Sequence, residues 1–325
     1  MTYNVLLGAQ YREHLVAAVI ERSDPDVVAL QEVTSLSFAR RLAKQLDMTL
    51  LLGKPSDPGT DMHNVILTRL PVRRWRNHRH PPHMLRSHLE AELDIGDGPI
   101  GSALRVHCLH LAARFGEKAN GEVRRGKELD SVFADIGRMD EVPHVLTGDF
   151  NSVSPSETVA ASKFFKKMAQ LRRAGVLKRG LDGVWGPAPR RGKVDEDIDI
   201  LWREAGVPPH LDVSVPALPA ALLALTRGVL RGHNADRMLG RFIERWGVER
   251  ILEAGYIDCF RAVHPRALGY TCSTWVPVSR IDYFFASPEV AGRLDRCDVV
   301  GGRHWPDPDV LAASDHWPLV ADFRL

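Results

Sequence analysis

Several hydrophobic runs of this chain end in a side chain that can bind a cation or move a proton. Those residues are Asn4, Gln31-Glu32, His110, Asp149 with Asn151, Asp282, and Asp315-His316. The run Val27-Val28-Ala29-Leu30 passes straight into Gln31 and Glu32. A carboxylate at the end of a buried run is costly unless it has a partner. A hard divalent cation such as Mg²⁺ is one, because it takes oxygen ligands and needs only one or two carboxylates. Carboxylate and imidazole together supply general acid and base groups, and carboxamides can hold an anionic oxygen. Each piece alone has a plainer reading. A lone Glu after a strand is usually an ion-pair residue, Gly-Asp-Phe-Asn at 148–151 suits a turn, and an Asp-His neighbour pair is commonly a surface hydrogen bond.

These residues must be presented by strand ends, where a rigid scaffold offers catalytic groups. The pattern predicts strands at Met1–Leu7, 27–30, Thr49–Gly53, Asn64–Thr68, His88–Ile95, Ala103–Leu111, Val142–Thr147, Arg280–Ser287, near Cys297–Val300, and at Pro318–Leu325. Apolar residues at helical spacing predict helices at Glu13–Ser23, Leu36–Leu46, Glu122–Met139, Ser156–Ala174 and Asp236–Trp246. Strands and helices alternate, but several neighbouring strands read as hairpins. That favours mixed sheets with helices outside.

Composition fits a soluble globular protein, and the length allows one large domain or two. The chain has 325 residues, 44% hydrophobic and 26% charged, which excludes a disordered, collagenous or coiled-coil chain. The four cysteines (Cys108, Cys259, Cys272 and Cys297) form no CxxC pair; they suit a reduced, cytoplasmic setting. The most apolar stretch, Ala217–Leu230, is shorter than the ~20 residues that span a bilayer. The net charge of +2 hides segregation. Arg69–Leu89 holds six arginines, four histidines and no acid, and Lys163–Lys193 holds ten Lys or Arg against one acid. Such stripes could attract a polyanion, although solvated loops are the commoner case.

Read together, the polar strand ends resemble the endonuclease/exonuclease/phosphatase superfamily of DNase I-like enzymes. The similarity rests on Thr2-Tyr3-Asn4, DPDVVALQEV (24–33), HNVILTRLPV (63–72), His110-Leu111, TGDFNS (147–152), SRIDYFFAS (279–287) and SDHWPLVADF (314–323), in the family's order. The resemblance implies a four-layer α/β/β/α sandwich of two mixed sheets, over a single domain 1–325 with an insertion at roughly 175–233. It also implies metal-dependent hydrolysis of a phosphodiester by water, most simply by a nuclease, with Mg²⁺ or Mn²⁺ as cofactor. The alternative is a phosphatase or phospholipase-type enzyme on a phosphoinositide, sphingomyelin-like or small phosphoester. On this match Glu32 is the main metal ligand, with Asn4 beside it. Asp149 orients or deprotonates water, and Asn151 holds a phosphoryl oxygen. His110 contacts phosphate, Asp282 lies near the catalytic histidine, and Asp315 backs His316.

The match has departures. Leu109 stands where the family has a Thr before its His. The first strand begins only three residues before Asn4, so a start upstream of Met1 is an open alternative. His78, His80, His83 and His88 invite a second metal site, but Pro81-Pro82 interrupts any regular spacing and a basic loop is the expectation. Asp195, Glu196, Asp197 and Asp199 are expected to pair with the preceding basic run, and Leu218–Leu230 to pack on the body. Partners other than the phosphate ester, possibly a nucleic acid, are not legible.

Overall fold

The computed structural model describes residues 1–113, 121–137, 142–155, 157–160 and 245–325, with short pieces at 162–164, 166–167, 170, 177–179, 185–187 and 236. Strand β1 (Thr2–Asn4) leads through a short 3-10 turn to helix α1 (Glu13–Ser23). There follow β2 (Val27–Val33), α2 (Leu36–Gln45), β3 (Thr49–Gly53), β4 (His63–Thr68), β5 (Val72–His78), β6 (His88–Gly98), β7 (Gly101–His110), α3 (Gly121–Ile136) and β8 (His144–Asp149). Two short strands, β9 (Leu177–Arg179) and β10 (Trp185–Pro187), precede α4 (Trp246–Glu253), β11 (Ile257–Asp258), α5 (Cys259–Val263), β12 (Asp282–Ala286), α6 (Pro288–Ala291), β13 (Leu294–Val299), α7 (Val310–Ala313) and β14 (Leu319–Phe323).

Two six-stranded sheets result, ordered β13-β14-β1-β2-β4-β3 and β11-β12-β8-β7-β6-β5. Only β1/β2 and β7/β8 pair in parallel within them, so both sheets are mixed. Side chains along a strand alternate between faces, and that alternation fills three apolar layers. Val28, Leu30, Val65 and Leu67 face α1 and α2, where they meet Val16, Val19, Ile20, Phe38 and Leu42. Ala29 and Ile66, one residue out of phase, face the second sheet and meet Leu89, Ala91, Val106, Cys108, Val145 and Phe284. On that sheet's outer face Leu109, Leu146, Tyr283 and Phe285 meet Leu129, Val132, Val248 and Ile251 from α3 and α4. This is the four-layer α/β/β/α sandwich expected. No described helix is long and apolar enough to cross a membrane. The four cysteines are free thiols.

Two elements differ from expectation. The first strand stops at Asn4 because its side chain accepts Leu6 N–H at 3.0 Å and the next residues, Leu6 to Ala9, all have positive φ. The stretch Arg69–His78, read as part of a basic loop, instead contains β5. It is an edge strand in which Arg74 pairs with Glu92 at 2.8 Å and Arg73 with Asp94 at 3.1 Å, both on β6, while Arg69 just before it pairs with Asp24 at 2.7 Å. Charged edge strands are a common guard against stray pairing, and they hide the apolar alternation. The acidic loop at 195–199, the apolar stretch 218–230, most of the insertion and most of the helices expected at 156–174 and 236–246 lie outside the described residues.

Candidate active site

The alternation that builds the inter-sheet core also builds the site. Cys108 faces the gap between sheets, so His110, two residues on, faces it too. By the same rule Val145 predicts Asp149, and Phe284 predicts Asp282. His110 pairs with Asp149 in the parallel β7/β8 register, and Asp149 with Asp282 in the antiparallel β8/β12 register. The three side chains therefore form one row across neighbouring strands, at the edge of the gap. Gly148 permits this close register. It has φ +138°, and a Cβ there would come 1.9 Å from the Leu109 carbonyl oxygen.

The facing sheet supplies Asn4 and Glu32. β2 carries one extra residue between Leu30 and Val33, and Glu32 within this bulge has φ 60°. Bulges re-aim a side chain, and here the carboxylate turns to the same edge. Glu32 is held there by Leu7 N–H, which donates to Oε2 at 3.0 Å. Asn4 Nδ2 donates to Glu32 Oε1 at 3.1 Å and to Asp149 Oδ2 at 3.0 Å. One carboxamide thus bridges the carboxylates of the two sheets.

The imidazoles complete the cluster. His110 Nε2 lies 3.6 Å from Asp149 Oδ2 and 3.9 Å from Glu32 Oε1. His316 Nε2 lies 3.9 Å from Asp149 Oδ2, while its Nδ1 is hydrogen-bonded to Asp282 Oδ2 at 2.9 Å. The expected backing of His316 by Asp315 is corrected by this bond. Adjacent residues in extended chain point to opposite sides, so the partner comes from β12. Asp315 is held instead in the backbone, where its carbonyl accepts Thr274 N–H at 2.8 Å. Asn151 has φ 49° and donates its N–H to Asp149 Oδ1 at 2.9 Å and its Nδ2–H to the Leu111 carbonyl at 3.1 Å. The turn expected of Gly-Asp-Phe-Asn is present, and it fixes the Asp149 carboxylate that Asn4 also binds.

Burial sets the electrostatics. It raises the Asp149 carboxyl to about 7, with Asp282 adding to the rise and His316 and two hydrogen bonds opposing it. Burial, helped by Arg86 and His316, pushes the His110 imidazole well below its usual value. Burial opposes charge on His316 as well, but Asp282, Cys272 and Asp315 together outweigh it and the pKa lies well above normal. Burial also raises Asp315, with nearby Glu32 adding to it. Two buried carboxylate oxygens, Asp282 Oδ1 and Asp315 Oδ1, have no hydrogen-bond partner among the described residues. Crowded carboxylates and oxygen donors fit a hard divalent cation, which Glu32 with Asn4 and Asp149 would hold; Asp149, Asp282 and His316 also bring donor atoms within 4.8 Å of one another.

Several supporting residues receive no role from the sequence, although Ser314 and Arg280 lie within the SDHWPLVADF and SRIDYFFAS stretches. Ser314 Oγ donates to the Asn4 carbonyl at 2.7 Å and accepts His316 N–H at 3.2 Å. Arg12 donates to the Leu6 and Ala313 carbonyls, bracing the loop after β1 against α7. Arg86, buried, donates to the Leu111 carbonyl at 3.3 Å, the acceptor that Asn151 also uses. Its signal was its place in the basic segment, where five other arginines obscure it. Arg280 bonds Asp258 Oδ1 at 2.8 Å and Glu157 Oε1 at 2.6 Å, and stacks 4.5 Å from the Tyr283 ring. The Tyr283 hydroxyl accepts Ser154 N–H at 2.9 Å, so this pair anchors the chain leaving Gly-Asp-Phe-Asn. Arg280→Met would leave Asp258 buried without its cation. The expected loss is roughly 3–5 kcal/mol, read from the denaturant midpoint at unchanged m-value; an unshifted midpoint would refute the anchoring role.

Comparison with known proteins agrees with this architecture. Residues 1–316 match the model of the Endonuclease/Exonuclease/phosphatase family. The chain belongs to that family, a class of phosphoester hydrolases. An AP endonuclease from Archaeoglobus fulgidus superposes with TM-score 0.59 at 14% identity, over 100% of this chain and 98% of its own. The 3′ phosphatase NExo from Neisseria, bound to a product DNA hairpin, gives 0.55 at 14% over 100% and 98%. A humanized D. rerio TDP2 gives 0.54 at 16% over 100% and 97%. No match was found among curated proteins.

Proposed function

We propose that the protein is a Mg²⁺- or Mn²⁺-dependent phosphodiesterase, with nucleic acid as its favoured substrate. The observation that carries this reading is the convergence of Glu32, Asn4, Asp149, His110 and the Asp282–His316 pair on one edge of the inter-sheet gap. Glu32 would hold the ion, oriented by Asn4. When bound, the ion supplies positive charge against the phosphoryl and leaving oxygens.

The chain's own groups perform the remaining work. Asp149 orients a water molecule for in-line attack on phosphorus and accepts its proton as the new P–O bond forms. Asp282 fixes the tautomer of His316, so that Nε2 faces the reacting phosphate and donates to it. His110 and the Asn151 carboxamide hold phosphoryl oxygens. Preorganised donors of this kind stabilise the charge that develops in the transition state. The bond to the leaving alcohol oxygen breaks on the opposite side.

The substrate choice draws on the DNA-acting relatives more than on surface charge. In the described part of the basic segments, Arg69, Arg73 and Arg74 sit on acids at the end of β5 remote from His78, and the β5–β6–β7 register puts His78 at the end nearer His110. Arg79 and Arg86 are the arginines of that segment on the site's side. The segment 163–193 lies mostly outside the described residues. A nucleic acid that meets several cations releases counterions, giving a log–log salt slope of roughly −0.7 to −0.9 per phosphate contact. Binding of a short oligonucleotide to Glu32→Gln, measured across a salt series, should have a slope of at least about −2. A flat dependence would remove the nucleic-acid reading. Hydrolysis of plasmid DNA, RNA, bis-p-nitrophenyl phosphate, phosphoinositides and sphingomyelin, with Mg²⁺ and with EDTA, then identifies the phosphoester cleaved.

A further inference from the structure

The four histidines of Arg69–Leu89 do not form a loose basic loop. His78 and His88 are direct partners at the loop end of the β5–β6 hairpin, and His80 follows two residues after β5. His83 is exposed and stays apart. The other three reach one carboxylate oxygen on the last turn of α3. His80 Nε2 is 2.6 Å, His88 Nδ1 3.2 Å and His78 Nδ1 3.5 Å from Asp135 Oδ2. The donor atoms of His78, His88 and Asp135 all lie within 4.8 Å of one another.

We propose that His78, His88 and Asp135 bind one divalent ion of borderline softness, zinc foremost, at a structural site separate from the catalytic edge. Imidazole nitrogen with a carboxylate is a zinc donor set. In a tetrahedral site with bonds of about 2.0–2.2 Å, donors stand roughly 3.3–3.5 Å apart, close to the separations of the two Nδ1 atoms from Asp135 Oδ2.

The outer contacts have the arrangement a metal site needs. A ligating imidazole commonly gives its second nitrogen to a carboxylate or other acceptor, which fixes the tautomer. His78 Nε2 is 2.7 Å from Glu90 Oε2, and His88 Nε2 is 2.8 Å from His107 Nδ1. Both histidines therefore present the same nitrogen, Nδ1, to Asp135. His80 holds the carboxylate. His88 is fully buried and His78 only 15% exposed, so ordinary solvation does not explain the cluster.

Its place in the fold separates it from the proposed catalytic site. Cys108 lies in the inter-sheet core and Leu109 in the core under α3. By alternation His107, and with it His88, lies on the α3 side. An ion there would clamp the hairpin to the end of α3. It would also pin both ends of the loop that delivers Arg86 to the Leu111 carbonyl.

The test uses tag-free full-length protein, stripped with chelator and titrated with Zn²⁺ by calorimetry in saturating Mg²⁺. One equivalent should bind to the wild type and equally to Glu32→Gln, whose catalytic ligand is altered. Asp135→Asn and His78→Gln should bind about 100-fold more weakly or worse, and His80→Gln about tenfold more weakly. Co²⁺ should give visible bands of tetrahedral intensity in the wild type that Asp135→Asn loses. Zn²⁺ should raise the wild-type Tm by a few degrees. Circular dichroism checks folding, and the partly exposed His78→Gln carries the test if Asp135→Asn fails to fold. Absence of a Zn²⁺ equivalent in stripped wild type, full binding by both His78→Gln and Asp135→Asn, or loss of binding in Glu32→Gln would each overturn the proposal. Since Glu32→Gln removes the catalytic ligand alone, failure here is distinguishable from failure of the phosphodiesterase reading.

Discussion

Asp149→Asn is expected to lower kcat by about 10²- to 10⁴-fold, while KM changes by less than about threefold. Asn has nearly the same shape, and its side-chain oxygen can still accept the Asn151 N–H that now bonds Oδ1. What it loses is the capacity to take a proton from water, together with the bond that Oδ2 accepts from Asn4 Nδ2. His316→Ala should cost on the order of 10²-fold or more, because it removes a donor aimed at the same phosphate. The two losses should not multiply. Groups that act on one transition state as a unit are non-additive, so the double variant should fall little below the worse single. Steady-state rates on bis-p-nitrophenyl phosphate measure all three. Single variants within about threefold of wild type, or a double variant showing the full product of the losses, would remove the shared-phosphate assignment.

The motifs at the ends of β2, β7 and β8 and at the start of β12 were readable because each is a buried strand whose run meets a polar residue at one end. The strict period of two then tells which face that residue takes. The partner of His316 was not readable the same way. Asp315 is adjacent in sequence, whereas Asp282 becomes its partner only through the pairing of β12 with β8 and the return of the chain past Cys272. Proximity along the chain is a poor guide when neighbouring side chains leave an extended backbone on opposite sides. The histidine cluster was hidden for a related reason. Pro81-Pro82 rules out regular spacing within one element, but His78 and His88 belong to two strands of a hairpin, and Asp135 belongs to a helix some fifty residues later. β5 itself was obscured by charge. Its arginines look like a polyanion-binding stripe until the matching acids on β6 are placed beside them.

The bulge at Glu32 shows how local backbone and site chemistry meet, and it sets up the second large effect. A non-glycine residue at positive φ is disfavoured, yet here the conformation is supported on both sides. Leu7 N–H donates to Oε2 and Asn4 Nδ2 to Oε1. Those two bonds fix the carboxylate's direction without neutralising it. The cation would supply that neutralisation, with Asp149 and Asp315 also near enough to feel it.

Glu32→Gln should therefore weaken Mg²⁺ binding by at least about 10- to 100-fold, the range found when even outer contacts of a metal site are lost. Activity at fixed, subsaturating Mg²⁺ should fall on the order of 10²- to 10³-fold. The amide keeps the length of the side chain and one oxygen, so the Leu7 contact can persist while the ligand charge is gone. Part of the lost activity should return as Mg²⁺ or Mn²⁺ is raised, which separates a weakened ligand from a misfolded site. Asn4→Ala makes the complementary case. It leaves the carboxylate charged but removes the bridge to Asp149, so the expected loss is larger in kcat than in ion affinity. Calorimetric titration of Mg²⁺ beside rate measurements across a metal series reads both quantities. If Glu32→Gln binds Mg²⁺ as tightly as wild type, Glu32 is not the ligand, and the cation is held instead by Asp149, Asp282 and His316, whose donor atoms lie within 4.8 Å of one another.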